Sequence, residues 1–194
     1  LGDYAVFSDS ITEYGDGFIK AKAIDDRIGC AVMAELMERE LPMDVTFAFT
    51  VQEEVGTRGA FGAAFSVTPE LALVLETTTA ADSPTTDAHR RVCCPGKGPV
   101  VSYMDGGTVF DRKLYALLWA LAEENGIPCQ TKEYVSGGND GRAIQRTKDG
   151  IRTAIISAAV RYLHSPSSVA AIRDLEHIET LALRFVEAVA AGRA

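Results

Sequence analysis

An apolar run that ends in two adjacent glutamates is the feature that most constrains this chain. Residues 45–52 read VTFAFTVQ, and Glu53 and Glu54 follow directly. The β-branched and aromatic content of residues 45–51 predicts a buried β-strand. Two neighbouring carboxylates at the end of such a strand repel each other and lose hydration, which a bound divalent cation would offset. On this pair alone, two solvated surface acids are an equally good interpretation.

The composition of the chain limits its class and its partners. With 194 residues, of which 47% are hydrophobic and 24% charged, the chain is long enough for one domain with a substantial core. Its net charge of −8 argues against nucleic acid or an anionic membrane as the main partner. No apolar stretch reaches the length of a membrane span, and no signal peptide is visible. We therefore expect a cytoplasmic protein without a membrane partner.

The cysteine pattern supports the same location. The four cysteines show no paired C-x-x-C spacing, and two of them are adjacent in the sequence. This pattern favours reduced, buried thiols in a cytosolic protein over a disulfide framework or a thiolate metal site. The four residues are Cys30, Cys93, Cys94 and Cys129.

Strand-like and helix-like segments alternate along the chain, which predicts a three-layer α/β/α sandwich with a mixed, mostly parallel central sheet. We find no linker, so we expect residues 1–194 to form a single domain. The predicted strands are residues 4–7, 18–23, 45–51, 71–75, 99–103, 129–135 and 152–157. The predicted helices are residues 27–40, 56–65, 110–125 and a closing helix capped by Asp174, while residues 81–98 and 136–141 are predicted loops.

Candidate metal ligands follow several of the predicted strands. Ligands bind α/β sheets where strand ends converge on one edge, so we expect these side chains to lie together. Four carboxylates and one imidazole on one edge suit a divalent ion such as zinc, cobalt or manganese. The members of this set are Asp25, Glu53, Glu54, Glu76 and His164, with Asp140 of the glycine-rich loop near the same edge.

Simpler interpretations exist for most of these residues. Asp25 and Asp26 could cap the N-terminus of a helix, and His164 could be a hydrogen-bonded histidine in a turn. The two adjacent glutamates make both of these less favourable. Glu76 could merely cap a turn at the end of its strand, and the sequence leaves that alternative open. The Gly137-Gly138 loop lacks the lysine and the spacing of a phosphate-binding P-loop.

Four short motifs occur in the order found in one peptidase family. They are KAIDDRIG at residues 22–29, QEEVG at 52–56, SGGND at 136–140 and RYLHSP at 161–166. Together they resemble the glutamyl aminopeptidase/cellulase-M family, the tetrahedral dinuclear metallo-aminopeptidases, over essentially the whole chain. The resemblance implies a metal-dependent aminopeptidase that releases N-terminal residues from peptide substrates.

The resemblance also implies which residues hold two divalent metal ions (zinc, cobalt or manganese). Asp25 would bridge the two ions, with a cis peptide bond to Asp26. Glu54 and His164 would complete one metal site. Glu76 stands where the family has a carboxylate ligand on the other metal.

A second group of implied roles concerns proton transfer. Glu53 would be the general base that takes a proton from metal-bound water and later gives it to the leaving amine. Adjacent residues at a strand end point in different directions, so Glu53 and Glu54 need not share a role. Asp26 and Asp140 would lie behind the ligands and support them.

One ligand of the family has no counterpart here. The family has a further metal-binding histidine in a His-x-Asp motif upstream of the paired aspartates, before an inserted lid and assembly domain. No histidine precedes Asp25 in this chain. We therefore expect that the segment and the insertion are missing and that one metal ion binds more weakly. His89, in a loop, and His177, in the closing helix, are poor substitutes.

Two alternatives to an active aminopeptidase remain open. One is a related metal-dependent deacylase or carboxypeptidase. The other is a truncated, catalytically weak or inactive domain of such an enzyme. Because the family assembles into dimers and tetrahedral particles, we expect a homo-oligomer for the full-length parent and a smaller species for this chain.

Overall fold

Strands and helices alternate in the structure, a computed structural model that describes residues 1–8 and 10–194. Its strands are β1 (Thr12–Tyr14), β2 (Phe18–Ala21), β3 (Leu71–Thr79), β4 (Val100–Val101), β5 (Gln130–Thr131), β6 (Arg152–Val160) and β7 (Ser168–Ala171). Its helices are α1 (Ile24–Met37), α2 (Arg58–Val67), α3 (Arg112–Glu124), α4 (Gly141–Ile144) and α5 (Ile172–Ala190). A short 3₁₀ turn, Ala88–Arg90, interrupts the predicted loop at residues 81–98.

The larger sheet has the strand order β3-β6-β4-β5. β3 and β6 run parallel over their whole length, from Leu71 opposite Arg152 to Thr79 opposite Val160. β4 is antiparallel to β6 and parallel to β5, so the predicted mixed, mostly parallel sheet is confirmed. A smaller antiparallel sheet, in the order β1-β2-β7, lies beside it.

Helices cover both faces of the larger sheet. Ala154 and Ile156 of β6 belong to the main core, which they share with buried side chains of α1, α3 and α5. Ile155 points to the opposite face and packs with Val74 and Phe110, against which α4 lies. The alternation along β6 is the two-residue period of a strand whose faces are both covered. The predicted three-layer α/β/α arrangement is therefore confirmed.

The helix α3 shows how local sequence supports this packing. Leu114, Leu118 and Leu121 are buried at helical spacing against the sheet. Asp111 caps the helix, since its Oδ1 accepts hydrogen bonds from the amides of Lys113 and Leu114 at 2.9 and 3.0 Å. Its other oxygen pairs with the guanidinium of the residue that begins β6, so one side chain joins α3 to the central strand.

We expect Asp111→Ala to lower the free energy of unfolding by about 1–2 kcal/mol, because both the cap and the link to β6 are lost. Urea denaturation monitored by circular dichroism measures this. Asp111→Asn is the matched control, since an asparagine keeps a capping oxygen but not the charge. Equal stability of Asp111→Ala and the unchanged chain would show that the cap contributes nothing.

The prediction of a buried strand at residues 45–51 is wrong. Among the described residues this segment joins neither sheet, and its side chains are exposed or half-buried. Residues 4–7 are likewise exposed and form no strand. A strand requires a partner for its backbone groups, and an apolar pattern cannot indicate whether one is available.

Other element boundaries also differ from the prediction. Asp174 does not cap the closing helix, because α5 begins two residues earlier. The Asp174 carboxylate lies in the first turn and accepts hydrogen bonds from the amides of Gly96 and Gly98, at 2.7 and 2.8 Å. The predicted strands at residues 99–103 and 129–135 shrink to β4 and β5, whereas β3 and β6 are longer than predicted.

Two further findings concern the whole described chain. All four cysteines are free thiols. Within residues 1–8 and 10–194, none of the helices combines the length and the apolar character needed to cross a membrane.

Candidate metal centre

Three of the predicted ligands meet at one point. Ligand atoms of Asp25, Glu54 and His164 all lie within 4.8 Å of one another. The Nε2 atom of His164 is 3.1 Å from Oδ2 of Asp25 and 3.3 Å from Oε2 of Glu54. Ligand atoms about 2.0–2.1 Å from a tetrahedral zinc-type ion are separated by about 3.4 Å, so this spacing fits such an ion. The three residues come from the start of α1, the turn before α2 and the turn after β6.

The backbone at the start of α1 presents the two aspartates. The Asp25–Asp26 peptide bond is cis, as the resemblance implied, and both residues have non-helical φ and ψ angles. Oδ1 of Asp25 accepts a hydrogen bond from the Thr77 hydroxyl of β3 at 2.8 Å. That bond fixes the carboxylate so that its other oxygen faces His164.

Asp26 faces inward, behind Asp25. Its Oδ1 accepts a hydrogen bond from the amide of Gly29 at 2.9 Å. A Cβ atom added to Gly29 would lie 2.3 Å from Oδ2 of Asp26 and 2.8 Å from the Leu75 carbonyl oxygen. Only glycine therefore allows α1 to approach both this carboxylate and β3. Burial, followed by the nearby Asp25 carboxylate, raises the pKa of Asp26 to about 7.

Glu76 lies within β3 and not after it, because β3 continues through the three threonines that follow. The alternative that Glu76 caps a turn at residues 77–79 is therefore wrong, although its Oε1 accepts a hydrogen bond from the Thr77 amide at 2.9 Å. Burial and the Asp26 carboxylate raise the pKa of Glu76 to about 10. Glu76 does not belong to the three-residue group of Asp25, Glu54 and His164.

The two adjacent glutamates have different environments. Glu53 is half-buried, whereas Glu54 is exposed. Burial, together with the carboxylates of Asp140, Glu54 and Asp25, raises the pKa of Glu53 to about 7. A carboxyl group that titrates near neutral pH can both accept and return a proton.

Asp140 reaches the same edge of the sheet from the glycine-rich loop. It is buried, and its Oδ2 accepts a hydrogen bond from the Thr50 hydroxyl at 2.5 Å. Its Oδ1 is buried and has no hydrogen-bond partner among the described residues. The neighbouring Asn139 anchors the loop by donating to Asp105 at 2.7 Å and accepting from the Gly141 amide at 2.9 Å.

Negative charge is concentrated at this edge of the sheet, where six carboxyl groups lie near one imidazole, that of His164. Of the salt bridges among the described residues, none joins a lysine or an arginine to these acids. Burial is the first cause of a raised pKa for five of the carboxyl groups. A divalent cation suits such a donor set, since it would replace the missing positive charge. The acids at this edge of the sheet are Asp25, Asp26, Glu53, Glu54, Glu76 and Asp140.

The structure also places the residues that the sequence left uncertain or missed. His89 lies in the short 3₁₀ turn and His177 in α5, and neither belongs to the three-residue group. Thr50 and Thr77, which hold Asp140 and Asp25, were not predicted. A threonine in an apolar run is common in strands, so its type gave little signal.

Comparison with known proteins supports the family resemblance of the four sequence motifs. The sequence profile of the M42 glutamyl aminopeptidase family matches residues 1–181. A protein from Acetivibrio thermocellus, provisionally named an aminopeptidase, is 36% identical over 191 residues, which make up 97% of this chain and 56% of that protein.

Solved structures show the same relationship. An aminopeptidase from the archaeon Desulfurococcus kamchatkensis has a TM-score of 0.89 at 35% identity, over 94% of this chain and 52% of that one. The TET1 peptidase of Pyrococcus horikoshii, described as assembling into a tetrahedron or a large octahedral shell, has a TM-score of 0.76 at 32% identity, over 93% and 52% of the two chains.

The match covers nearly all of this chain but only part of each relative. The chain spans about half the length of the curated relatives it matches. The family profile, by contrast, covers nearly all of this chain and includes all four sequence motifs. The chain therefore belongs to the M42 glutamyl aminopeptidase family.

Proposed function

We propose that this chain supplies the metal-binding and proton-transfer residues of a metal-dependent aminopeptidase. The observation that carries the proposal is the convergence of ligand atoms of Asp25, Glu54 and His164 within 4.8 Å. Glu53 is the sequence neighbour of Glu54. We propose residues 1–194 as a single metallopeptidase-like catalytic domain. Because the chain spans about half of its relatives, aminopeptidase activity is proposed for the complete protein.

Asp25, Glu54 and His164 would hold one divalent ion, and Asp25 with Glu76 would contribute to a second, weaker site. The oxygen and imidazole donors suit zinc, cobalt or manganese. A bound ion of this kind supplies Lewis acidity toward a peptide carbonyl and toward water. Asp26 and Asp140 would support the ligands from the inner side of the site.

Glu53 would act as the general base. It would take a proton from the attacking water and later return that proton to the leaving amine. Because Glu53 is half-buried, its carboxylate is accessible to a substrate but only partly hydrated.

The charge of the site supports an amino-terminal substrate. A peptide with a free N-terminal ammonium brings a positive charge to a cluster of carboxylates, which an N-acylated substrate does not. A carboxypeptidase would instead place the C-terminal carboxylate of its substrate among these carboxylates, which repel it. The charge therefore favours an aminopeptidase over the deacylase and carboxypeptidase alternatives.

A second candidate is that residues 1–194 alone form a weakly active or inactive domain. The chain covers about half the length of its relatives, and among the described residues the proposed second metal site has no imidazole ligand. Both points favour weak or absent activity of the isolated chain. For the complete protein we propose a homo-oligomer, by analogy with the TET1 assembly, and a cytoplasmic location, since free thiols suit a reducing compartment.

The substrate proposal is tested with three substrate types. The complete protein, loaded with zinc or cobalt, is expected to release amino acids from free-amino peptides and aminoacyl anilides. It should leave N-acetylated peptides intact and should not shorten peptides from the C-terminus. Faster turnover of the N-acetylated substrate would favour the deacylase instead.

The metal stoichiometry of the isolated chain gives another prediction. Titration calorimetry with zinc should show one tight ion per chain of residues 1–194, because only one three-residue ligand group is present among the described residues. His164→Ala should abolish tight binding, whereas His89→Ala, the matched control, should not. Two equally tight ions per chain would contradict the proposed ligand set.

A further inference from the structure

Two glycine-rich segments of the chain meet beside the metal centre. Residues 105–108 read DGGT and form a tight turn, and residues 136–141 read SGGNDG and form the glycine-rich loop. The amide of Gly106 donates a hydrogen bond to the carbonyl oxygen of Gly137 at 2.8 Å. A Cβ atom added to Gly106 would lie 2.5 Å from that oxygen, so only glycine allows this approach. The turn and the loop are therefore in direct backbone contact.

The side chain of Asp105 joins the turn to the loop. It is buried, and its Oδ1 accepts hydrogen bonds from the amides of Gly107 and Thr108, both at 2.7 Å. Its Oδ2 accepts a hydrogen bond from Nδ2 of Asn139, also at 2.7 Å, and Asn139 is buried as well. Three N–H donors thus compensate this carboxylate for its lost hydration. One oxygen fixes the turn, and the other fixes the loop.

Asn139 passes this constraint to the residue that follows it. Its Oδ1 accepts a hydrogen bond from the amide of Gly141, the first residue of α4, at 2.9 Å. Asp140 lies between these two bonded positions, so its backbone is held on both sides. From there its Oδ2 accepts the hydrogen bond from the Thr50 hydroxyl.

Thr50 belongs to the segment that carries the two adjacent glutamates. It precedes Glu53 by three residues, and both glutamates line one cavity together with Thr50 and Asp140. Two side-chain hydrogen bonds and the intervening backbone therefore connect Asp105 to this segment. Asp105 itself is not among the residues that line the cavity.

We propose that Asp105 is a positioning residue of the metal centre. It acts through Asn139 and Asp140 on the placement of Glu53 and Glu54. Partners that orient metal ligands from behind typically contribute about 10–100-fold to metal affinity or activity. The inference rests on the proposed metal centre, but its readouts do not require peptidase activity.

Two variants test the link between Asp105 and Asn139. In Asp105→Asn one oxygen still accepts from the two turn amides, but an NH₂ group then faces Nδ2 of Asn139, and two donors cannot bond. The double variant Asp105→Asn/Asn139→Asp reverses donor and acceptor. It restores the hydrogen bond, keeps an oxygen for the Gly141 amide and leaves the net charge unchanged.

Calorimetric titration of the metal-free complete protein with zinc measures the effect. We expect Asp105→Asn to raise the Kd of the zinc ion that depends on His164 by about 10-fold or more, and the double variant to restore it. The visible absorption of the cobalt-loaded protein, which depends on the geometry of the ligands, should change and recover in the same way. Asp111→Ala is the matched control, since its side-chain bonds go to α3 and β6, and it should change neither readout.

Three results would overturn the proposal. The first is an unchanged zinc Kd in Asp105→Asn. The second is a double variant that does not recover, because Asp105 would then not act through Asn139. The third is an equal loss of affinity in Asp111→Ala, which would indicate a general effect of lower stability.

A further variant covers the case in which Asp105→Asn does not fold. Asn139→Ala breaks the same link and leaves the turn intact, and we expect the same loss of zinc affinity. Failure of both variants to fold would assign the pair to the stability of the fold and would also overturn the proposal.

His164→Ala separates this inference from the proposed function. Unchanged zinc binding in that variant would refute the metal centre itself. Zinc binding that is weakened in His164→Ala but unchanged in Asp105→Asn would refute only the positioning role.

Discussion

Replacing Glu53 with glutamine is expected to lower kcat for peptide hydrolysis by about 10²–10⁴-fold while the metal content stays unchanged. Glutamine has nearly the same shape but cannot accept a proton at neutral pH, and the proton must otherwise go to bulk water. Because Glu53 is not one of the three residues whose ligand atoms converge, its replacement should not release the ion. The measurement is steady-state kinetics of the complete protein with an aminoacyl anilide, alongside elemental analysis.

Glu54→Gln is the matched control for this experiment. The two residues are adjacent, but Oε2 of Glu54 lies 3.3 Å from Nε2 of His164, in the ligand group. The control should therefore lose metal affinity as well as activity. If Glu53→Gln released the metal and Glu54→Gln retained it, the two roles would be exchanged.

The second large effect is on stability in the absence of metal. The metal-free chain should become less stable as the pH rises from about 5 to about 8, since its folded state holds protons that the unfolded state releases. The pKa of Asp26 and of Glu53 is raised to about 7, and that of Glu76 to about 10. The contribution of these groups to the free energy of unfolding is fully present below their ordinary pKa values of 3.8 for aspartate and 4.5 for glutamate. It is lost as the pH rises through their raised pKa values in the folded state.

Several other groups with shifted pKa values titrate outside the range from about pH 5 to about pH 8. Asp82 and Asp111 pair with arginines, which lower their pKa below 3.8, so their contribution changes only in more acidic solution. Burial raises the pKa of Cys93 to about 12 and that of Cys129 to about 11, and these thiols matter only at more alkaline pH. Burial also raises the pKa of Asp174, outside the cluster, so the change between about pH 5 and about pH 8 comes from the carboxylate cluster together with Asp174.

Thermal unfolding with EDTA at several pH values measures the effect. We expect Tm to fall by roughly 5 °C or more across this range. Zinc at about 100 times its Kd should then add about 2.7 kcal/mol and reverse the trend, since the metal binds the deprotonated carboxylates. A Tm that rises with pH in EDTA would show that the cluster does not bind more protons in the folded state than in the unfolded state.

Strong periodic patterns explain why much of the fold was predictable. The leucines of α3 recur at helical spacing, and the apolar residues within β6 indicate a buried strand. The candidate site was predictable for a different reason. Asp25 and His164 lie a few residues after β2 and β6, and Glu54 lies in the turn before α2; a layered sheet brings such positions to one edge.

The remaining features depend on partners that local sequence does not reveal. Residues 45–51 have the composition of a buried strand, but the described chain offers them no backbone partner. Strands β1 and β7 are short and stabilised by pairing with β2, not by their own patterns. Asp174 looks like a cap in the sequence, yet its carboxylate binds two glycine amides that are distant along the chain.

The most direct test of the metal site is a crystal of the chain grown with zinc and measured at the zinc absorption edge. We expect one strong anomalous peak about 2.0–2.2 Å from an oxygen of Asp25, an oxygen of Glu54 and a nitrogen of His164. An anomalous map without a peak at these three residues, or with zinc bound elsewhere in the chain, would contradict it.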